Sequence, residues 1–155
     1  SRSAVFIRGE GGWGGDRGPA AAGPPPDREP DHVVTYPTRT DQALLYRLSG
    51  DFNPLHWDQS FPQAQQIGDN IVHGRMKWST LGQVVSDWVG GDGWVRSVSC
   101  QYRGMDMQGT EWSAKGVVTG KREEDGRKLV DIDVWTENAG GQKTTPGKAV
   151  VVLDA

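Results

Sequence analysis

The sequence contains very little cysteine, no long apolar run and no long run of basic residues. Cys100 is the only cysteine among 155 residues, so an internal disulfide and a cysteine-ligated zinc site are both excluded. No stretch of about 18 apolar residues is present, which argues against a membrane span. No charged and then apolar stretch resembles a secretory leader. We therefore expect a cytoplasmic protein with no membrane partner.

The charge balance is slightly acidic. The chain has 17 Lys and Arg against 20 Asp and Glu, a formal net charge of -3. Without an extended basic stretch, this balance argues against nucleic acid as the main partner. Hydrophobic residues make up only 35% of the chain, yet seven tryptophans supply the bulky side chains that a disordered chain would lack. We expect one folded domain of ordinary size.

Composition divides the chain into three segments. Residues 1–8 hold a strand-like run that is too short to bury itself, and we interpret them as a remnant of a preceding unit. Residues 9–32 are rich in glycine and proline, which is typical of a linker. Residues 33–155 carry the periodicity of a folded domain. Because the sequence starts at Ser1 rather than Met, we interpret it as a fragment, a processed chain or one piece of a longer chain.

Two helices are predicted in the first half of this domain. A short helix over residues 41–48, capped at Thr40, ends at Gly50, and a polar stretch with one turn follows it. A longer helix over residues 74–89 carries apolar side chains at three- and four-residue spacing, which predicts a buried face. This face comprises Trp78, Leu81, Val84, Val85 and Trp88.

Four strands are predicted after this helix. They cover residues 94–103, 111–121, 128–137 and 148–153 and are separated by glycine-containing turns. Alternation is clearest where Val130, Ile132 and Val134 occupy every second position. One long helix followed by antiparallel strands predicts an α+β domain in which the sheet wraps the helix.

The densest group of chemically active residues follows the first helix. Asp51 and His56 lie five residues apart in a loop bent by Pro54, a spacing that can direct both side chains at one small volume and one water molecule. A carboxylate beside an imidazole is suited to proton transfer near neutral pH. The alternative is structural: Asp51 caps a turn, Asn53 satisfies loop backbone, and His56 is an ordinary surface histidine.

The predicted start of the long helix is a second candidate. A helix N-terminus presents unpaired N–H groups, and Gly74 would let a carbonyl oxygen approach the backbone closely, as an oxyanion hole requires. A glycine in this place also serves simple packing, and His73 before it is interpreted as structural.

These two motifs together resemble a known family. The stretch from Tyr46 to Asp58, which includes Ser49-Gly50-Asp51 and Asn53-Pro54-Leu55-His56, resembles the signature of the (R)-specific enoyl-CoA hydratases of the MaoC-like, hot-dog superfamily. Ile71-Val72-His73-Gly74 is similar to that family's sequence at the start of its central helix. The resemblance covers roughly residues 33–153 and implies a hot-dog fold, a long central helix wrapped by an antiparallel sheet.

The resemblance also implies an activity and a set of roles. The reaction is reversible hydration of a trans-2-enoyl-CoA to an (R)-3-hydroxyacyl-CoA, with an acyl-CoA as substrate and with no metal or other cofactor. Asp51 and His56 are expected to form a catalytic dyad that activates water, and the Gly74 N–H to polarise the thioester carbonyl. Four further residues are candidates for substrate binding or loop positioning: Asn53, Tyr46, His73 and Arg75.

The N-terminal segment carries a second resemblance. Residues 5–15 and the proline-rich stretch after them are similar to the junction between the halves of double hot-dog hydratases. There the first half accommodates the acyl chain and the second carries the dyad, so this chain resembles the second. A single sheet curled around one helix also leaves an edge to cover. We expect a homodimer, or a heteromer with another hot-dog unit, in which residues 4–7 add an edge strand or contact the partner.

Two other functions stay open. A hot-dog thioesterase would use a carboxylate and the same helix-end amide to hydrolyse an acyl-CoA, and it would release free thiol from a saturated substrate. A subunit of a heteromeric hydratase would fold and bind but would turn nothing over without its partner chain. A native mass measurement addresses the second possibility.

Three further patterns carry less weight. Gly9-x-Gly11-x-x-Gly14 matches the letters of a dinucleotide-binding fingerprint, but proline-rich chain rather than a helix follows it, so we interpret it as linker. Two basic pairs, Lys121-Arg122 and Arg127-Lys128, flank the acidic turn at residues 123–126. We interpret them as part of a solvated turn, with contact to CoA phosphates as the alternative. Five tryptophans are expected to serve core or dimer packing rather than stacking of bases or sugars: Trp78, Trp88, Trp94, Trp112 and Trp135.

Overall fold

The computed structural model describes residues 26–154 and four isolated glycines, Gly12, Gly14, Gly15 and Gly23. The strands are β1 (His32–Pro37), β2 (Gly93–Cys100), β3 (Glu111–Glu124), β4 (Arg127–Asn138) and β5 (Lys143–Leu153). The helices are α1 (Gln42–Arg47), α2 (Pro62–Ile67) and α3 (Gly74–Val89), with a single 3₁₀ turn at Pro54–His56. The predicted strand remnant over residues 1–8 lies outside the described residues, as does most of the predicted linker over 9–32, so this division stays a prediction.

All five strands form one antiparallel sheet in the order β1-β3-β4-β5-β2. The helix α3 packs against one face of this sheet, so the α+β prediction of a helix wrapped by an antiparallel sheet is confirmed. In the part of the chain that the structure describes, no helix has the length and apolar character needed to cross a membrane. The core between α3 and the sheet comprises Leu81, Val84, Val85, Ala114, Val130, Ile132, Val134, Ala149 and Val151.

The predicted long helix matches α3 in both bounds, Gly74–Val89. Leu81, Val84 and Val85 of its apolar stripe are fully buried. Trp78 and Trp88 at the ends of the stripe are partly buried. The same face also buries Lys77 and Thr80, which the hydrophobic pattern did not predict.

Three local predictions were wrong. The strand β1 was missed, although its residues alternate between partly buried and exposed positions, because its partner β3 lies almost 80 residues further along the chain. β5 begins at Lys143 rather than at residue 148. Thr40 does not cap α1: the N-cap position is Asp41, and its carboxylate accepts hydrogen bonds from Arg39 at 2.7 and 2.6 Å instead of capping the helix.

The tryptophans only partly follow the packing prediction. Trp112 and Trp135 are buried, whereas Trp94 on the edge strand β2 is 47% exposed. Trp135 lies on the face of β4 opposite to Val134, and its indole ring has the Lys143 ammonium 5.1 Å from its centre. Core packing therefore explains most of these side chains, and Trp94 is left on the surface.

Candidate active site

A short loop after α1, residues 49–57, carries the predicted dyad and is called the site loop. Its second residue, Gly50, has a φ of +102°, which is readily accessible only to glycine. The Asp51 carboxylate accepts a hydrogen bond from Asn53 N at 3.2 Å, and the Asn53 side-chain oxygen accepts one from Leu55 N at 3.1 Å. These two side-chain turns lead into the 3₁₀ turn that buries His56. The contacts of Asn53 are therefore those of a residue that positions the loop.

The tautomer of the neutral His56 ring is set by its backbone partner. Its Nδ1 lies 2.8 Å from the carbonyl oxygen of Ile71. Because a carbonyl oxygen can only accept, Nδ1 carries the proton, and in the neutral ring Nε2 keeps its lone pair. His56 can therefore accept a proton at Nε2, which is what a general base requires.

Asp51, His56 and His73 form one cluster at the start of α3. A carboxylate oxygen or ring nitrogen from each lies within 4.8 Å of one from each of the others. His73 Nε2 is 3.8 Å from Asp51 Oδ2, and the rings of His56 and His73 stack with centroids 3.8 Å apart. The structure thus brings Asp51 and His56 to one small volume, as their spacing predicts, and adds a second imidazole to it.

His73 is held in its neutral form. Burial, and to a smaller extent the nearby His56, lower its pKa from 6.5 to about 4, against the opposing effect of Asp51. Its Nε2 is buried without a hydrogen-bond partner within the described residues. The ring of Tyr46 packs against the His73 ring, tilted by 34° and with centroids 4.1 Å apart. The rings of Tyr46 and His73 therefore pack in series against the ring of His56.

The N-terminus of α3 lies next to the same cluster, because His73 directly precedes Gly74. Within residues 26–154, the Gly74 N–H donates no hydrogen bond, so this donor is free for a ligand. A Cβ atom at Gly74 would lie 3.3 Å from the ring of Tyr102, a contact too tight for most side chains. A side chain at position 74 would require the ring of Tyr102 to shift by a few tenths of an ångström. Tyr102 was not among the residues that the sequence analysis selected.

A second loop, residues 101–110, connects β2 to β3 and contacts the site loop; we call it the return loop. The Gln108 side-chain amide donates to the carbonyls of His56 and Ile71. The Asn70 side-chain amide donates to the carbonyl of Leu55 at 2.9 Å. Sequence reasoning missed Gln108, because its loop carries no motif and lies 52 residues from His56.

Two predicted positions contact nothing in the cluster. Arg75 is exposed on the first turn of α3, so its role in substrate binding stays a prediction. The basic pairs beside the β3–β4 turn lie at the opposite end of α3, because Lys128 pairs with Leu153 and Leu153 with Gly93, four residues after α3 ends. A helix of 16 residues is about 24 Å long, so these pairs lie about one helix length from Asp51 and His56, and their contact with CoA phosphates stays an alternative.

The cluster has the residue types of a metal site but not its geometry. The two imidazole planes differ by only 28° and the rings lie face to face. A metal ion binds in the plane of each ring, and the lone pairs of two stacked rings run side by side instead of converging. The arrangement suits proton transfer better than metal binding, and the absence of a metal stays a prediction.

Comparison with known proteins agrees with this architecture. A family profile described as "MaoC like domain" matches residues 21–139. The 3-hydroxyacyl-thioester dehydratase Y of Mycobacterium tuberculosis is 46% identical over 89 residues, which are 56% of this chain and 31% of that protein. The solved (R)-hydratase from A. caviae, involved in PHA biosynthesis, superimposes with a TM-score of 0.67 at 26% identity, over 83% of this chain and 98% of that one.

A third similarity shows the fold alone. The ChsH1–ChsH2 complex from Mycobacterium tuberculosis superimposes with a TM-score of 0.66 at 18% identity, over 79% of this chain and 94% of that one. The chain spans only 31% of the length of the dehydratase from the same organism. The family profile, in contrast, covers most of the chain described here. The chain therefore belongs to the MaoC-like domain family and has its hot-dog fold.

Proposed function

We propose that this chain is the catalytic hot-dog unit of a hydratase that adds water reversibly to a trans-2-enoyl-CoA and gives the (R)-3-hydroxyacyl-CoA. The observation that carries the proposal is the clustering of Asp51 and His56 beside the start of α3. One ligand atom from each of Asp51, His56 and His73 lies within 4.8 Å of the others. Gly74, which directly follows His73, begins α3 with an N–H that is unpaired among the described residues. The names of the dehydratase and the (R)-hydratase to which the chain is similar support the same reaction class.

The proposed roles account for each proton in the reaction. Asp51 and His56 hold one water molecule, and the dyad takes a proton from it as its oxygen bonds to C3 of the substrate. The π electrons of the C2–C3 bond move toward the thioester oxygen, where the Gly74 N–H stabilises the developing negative charge. A proton from the dyad then adds to C2, so the dyad returns to its starting state. No electrons are exchanged with a cofactor, and we propose that none is needed.

The test is the loss of absorbance of the enoyl-thioester band. Crotonyl-CoA and one long-chain enoyl-CoA are incubated with the wild type, with Asp51→Asn and with His56→Ala. We expect both variants to lose at least about a thousandfold in rate, the scale of losing an essential acid–base group. Asp125→Asn is the control, because Asp125 lies at the tip of the β3–β4 turn with a φ of +53° that asparagine tolerates.

The outcomes separate the candidate functions. An (R)-hydroxy product formed by the wild type and the control alone supports the hydratase. Wild-type rates in either dyad variant contradict it. Release of free thiol from a saturated acyl-CoA, without hydration, indicates the thioesterase instead.

We also propose a second hot-dog unit as partner, either another copy or a different chain. Several apolar side chains beside the site loop are exposed, more than half of each in every case: Leu44, Leu45, Leu48 and Phe52. Strand β2 ends the sheet with an open edge among the described strands. The ChsH1–ChsH2 neighbour is itself named as a complex of two chains. A monomer in sedimentation at micromolar concentration, active on its own, contradicts this proposal; the cytoplasmic location stays a separate prediction.

A further inference from the structure

A fully buried ion pair lies beneath the first turns of α3. Lys77 Nζ is 2.7 Å from Asp106 Oδ2, and the two side chains are only 3% and 0% exposed. The same ammonium donates to the carbonyl of Gly104 at 2.8 Å. Burying two charges is costly unless geometry and further hydrogen bonds offset the loss of water, and an apolar pair would serve the core at least as well. The position of this pair therefore needs an explanation other than core stability.

The sheet also holds Asp106, at the same carboxylate oxygen that Lys77 contacts. The Thr144 hydroxyl donates to Asp106 Oδ2 at 2.8 Å and lies 2.9 Å from the hydroxyl of Thr136. Thr144 falls at a register shift between β4 and β5, where an extra residue on one strand redirects a side chain. The ion pair thus joins α3, the return loop and the sheet at one point.

The return loop is hydrogen-bonded to the backbone segment that positions His56. The Asp106 carbonyl accepts from Val72 N at 2.8 Å, one residue before His73. Two residues further on, Gln108 donates to the Ile71 carbonyl, which is also the group that fixes the Nδ1 proton of His56. A shift of Asp106 would therefore be transmitted to His56 through one or two hydrogen bonds.

The other half of the return loop lies against the α3 N-terminus. Gly104 N donates to the Thr144 carbonyl at 2.9 Å while the Gly104 carbonyl accepts from Lys77. Two residues earlier, the Tyr102 ring packs on Gly74, 3.3 Å from where a Cβ would lie. The ion pair therefore anchors both halves of the return loop. The first half, residues 101–104, contacts Gly74, and the second half, residues 106–110, contacts His56.

We propose that Lys77 and Asp106 are positioning residues, whose ion pair locks the return loop and thereby fixes His56 and the Gly74 N–H relative to each other. The proposal rests on the proposed hydratase function, since it assigns the pair to the same reaction. Neither side chain touches the dyad, so both act through the backbone of the return loop. Misplacing reacting groups by about 1 Å can cost a hundredfold in rate, so the pair should affect kcat more than KM.

The test replaces the whole pair with apolar residues. Lys77→Met alone leaves an uncompensated buried carboxylate and is expected to impair folding, whereas the double variant Lys77→Met/Asp106→Leu keeps the volume filled. The matched control is Lys115→Met/Glu137→Leu, which removes an ion pair of the same 2.7 Å length that is about one-fifth exposed. The readouts are kcat and KM with an enoyl-CoA, together with amide hydrogen exchange.

We expect the Lys77/Asp106 double variant to lose at least about tenfold in kcat, with KM changed by less than about threefold. The amides of Val72 and Gln108 should exchange at least about tenfold faster, while the core amide of Ile132 stays protected. The control should match the wild type in every readout.

Two results overturn the proposal. One is a double variant with wild-type kcat and wild-type exchange at Val72 and Gln108. The other is a parallel loss of kcat, of substrate affinity and of Ile132 protection, because that pattern belongs to general destabilisation. If the wild type shows no hydratase activity, the proposed function fails, and the exchange at Val72 and Gln108 still decides whether the pair locks the loop.

Discussion

The ion pairs near the two ends of α3 differ in their exposure to water. Where α3 begins, Lys77 and Asp106 pair in almost complete isolation from water. Beyond its C-terminus, Arg122 pairs with Asp131 at 3.1 Å and also with Glu124, with side chains 36% to 41% exposed. We call the first region, with the site and return loops, the site end, and the second, around the β3–β4 turn, the hairpin end.

The physical origin of the pKa shifts differs in the same way. At the hairpin end, hydrogen bonds from Arg96 and Arg122 lower the pKa of Glu124. At the site end, burial is the largest cause of the lowered pKa of His73. Water screens the first kind of interaction and is excluded from the second. Charge density by itself therefore does not mark a functional site, whereas buried ionisable groups beside an unpaired donor do.

The largest expected effect concerns His73 and the dependence of stability on pH. Because its pKa falls from 6.5 to about 4 on folding, the stability that His73 contributes is complete above pH 6.5, decreases as the pH falls and is exhausted below about 4. The contribution is about 3 kcal/mol. Between pH 6.5 and 4, the free energy of unfolding, measured with urea, should therefore fall by about 3 kcal/mol less in the His73→Phe variant than in the wild type.

Measurement at pH 8 provides the reference for this comparison, because His73 is neutral there in both the folded and the unfolded chain. The difference between wild type and variant at pH 8 reports the change in packing alone. An unchanged decrease below pH 6.5 in the variant would show that the buried imidazole is not the group responsible.

A smaller effect is expected from two asparagines that cap turns in the same way. Asn53 accepts from Leu55 N at 3.1 Å, and Asn138, the last residue of β4, accepts from Gly140 N at 3.1 Å. Replacing either with alanine should cost about 1 kcal/mol of stability. Only Asn53→Ala should also lower kcat, by about tenfold, because only its turn presents His56. Equal kcat values in the two variants would argue that the site loop tolerates disorder in this turn.

The smallest effect is expected at the hairpin end. Arg122→Ala removes two exposed ion pairs, to Asp131 and to Glu124. Exposed pairs contribute little because water and salt screen them, so the urea midpoint and kcat should both stay at their wild-type values. A loss of activity in this variant would mean that the hairpin end takes part in substrate binding, and the contrast between the two ends would then fail.

Much of the site was predictable because its parts are local. Asp51, Asn53 and His56 are placed by hydrogen bonds within six residues of one another. The start of α3 at Gly74 follows from periodicity, and it carries the unpaired N–H wherever the helix lies. Tyr102 and Gln108 were not predictable, because a loop without a motif brings them to the site from a distant part of the chain.

Lys77 shows the limit of pattern reasoning most directly. It lies four residues before Leu81 and seven before Val84, so the apolar stripe places it on the buried face. Its charge argues for the surface, and sequence alone gives no reason to pair it with Asp106, 29 residues away. Similarly, β1 could not be recognised as an edge strand before its partner β3 was known.

The sequence by itself determined the local elements of this protein: the helix α3, most of the strands and the short loop that bears Asp51 and His56. Their energetics depend on residues close along the chain, which a periodicity or a turn motif records. Only the tertiary structure decided which distant groups share the interior, including the stacking of His73 on His56, the contact of Tyr102 with Gly74 and the pairing of Lys77 with Asp106. Excluding water around these groups makes each contact strong, and that exclusion exists only once the sheet has closed around the helix.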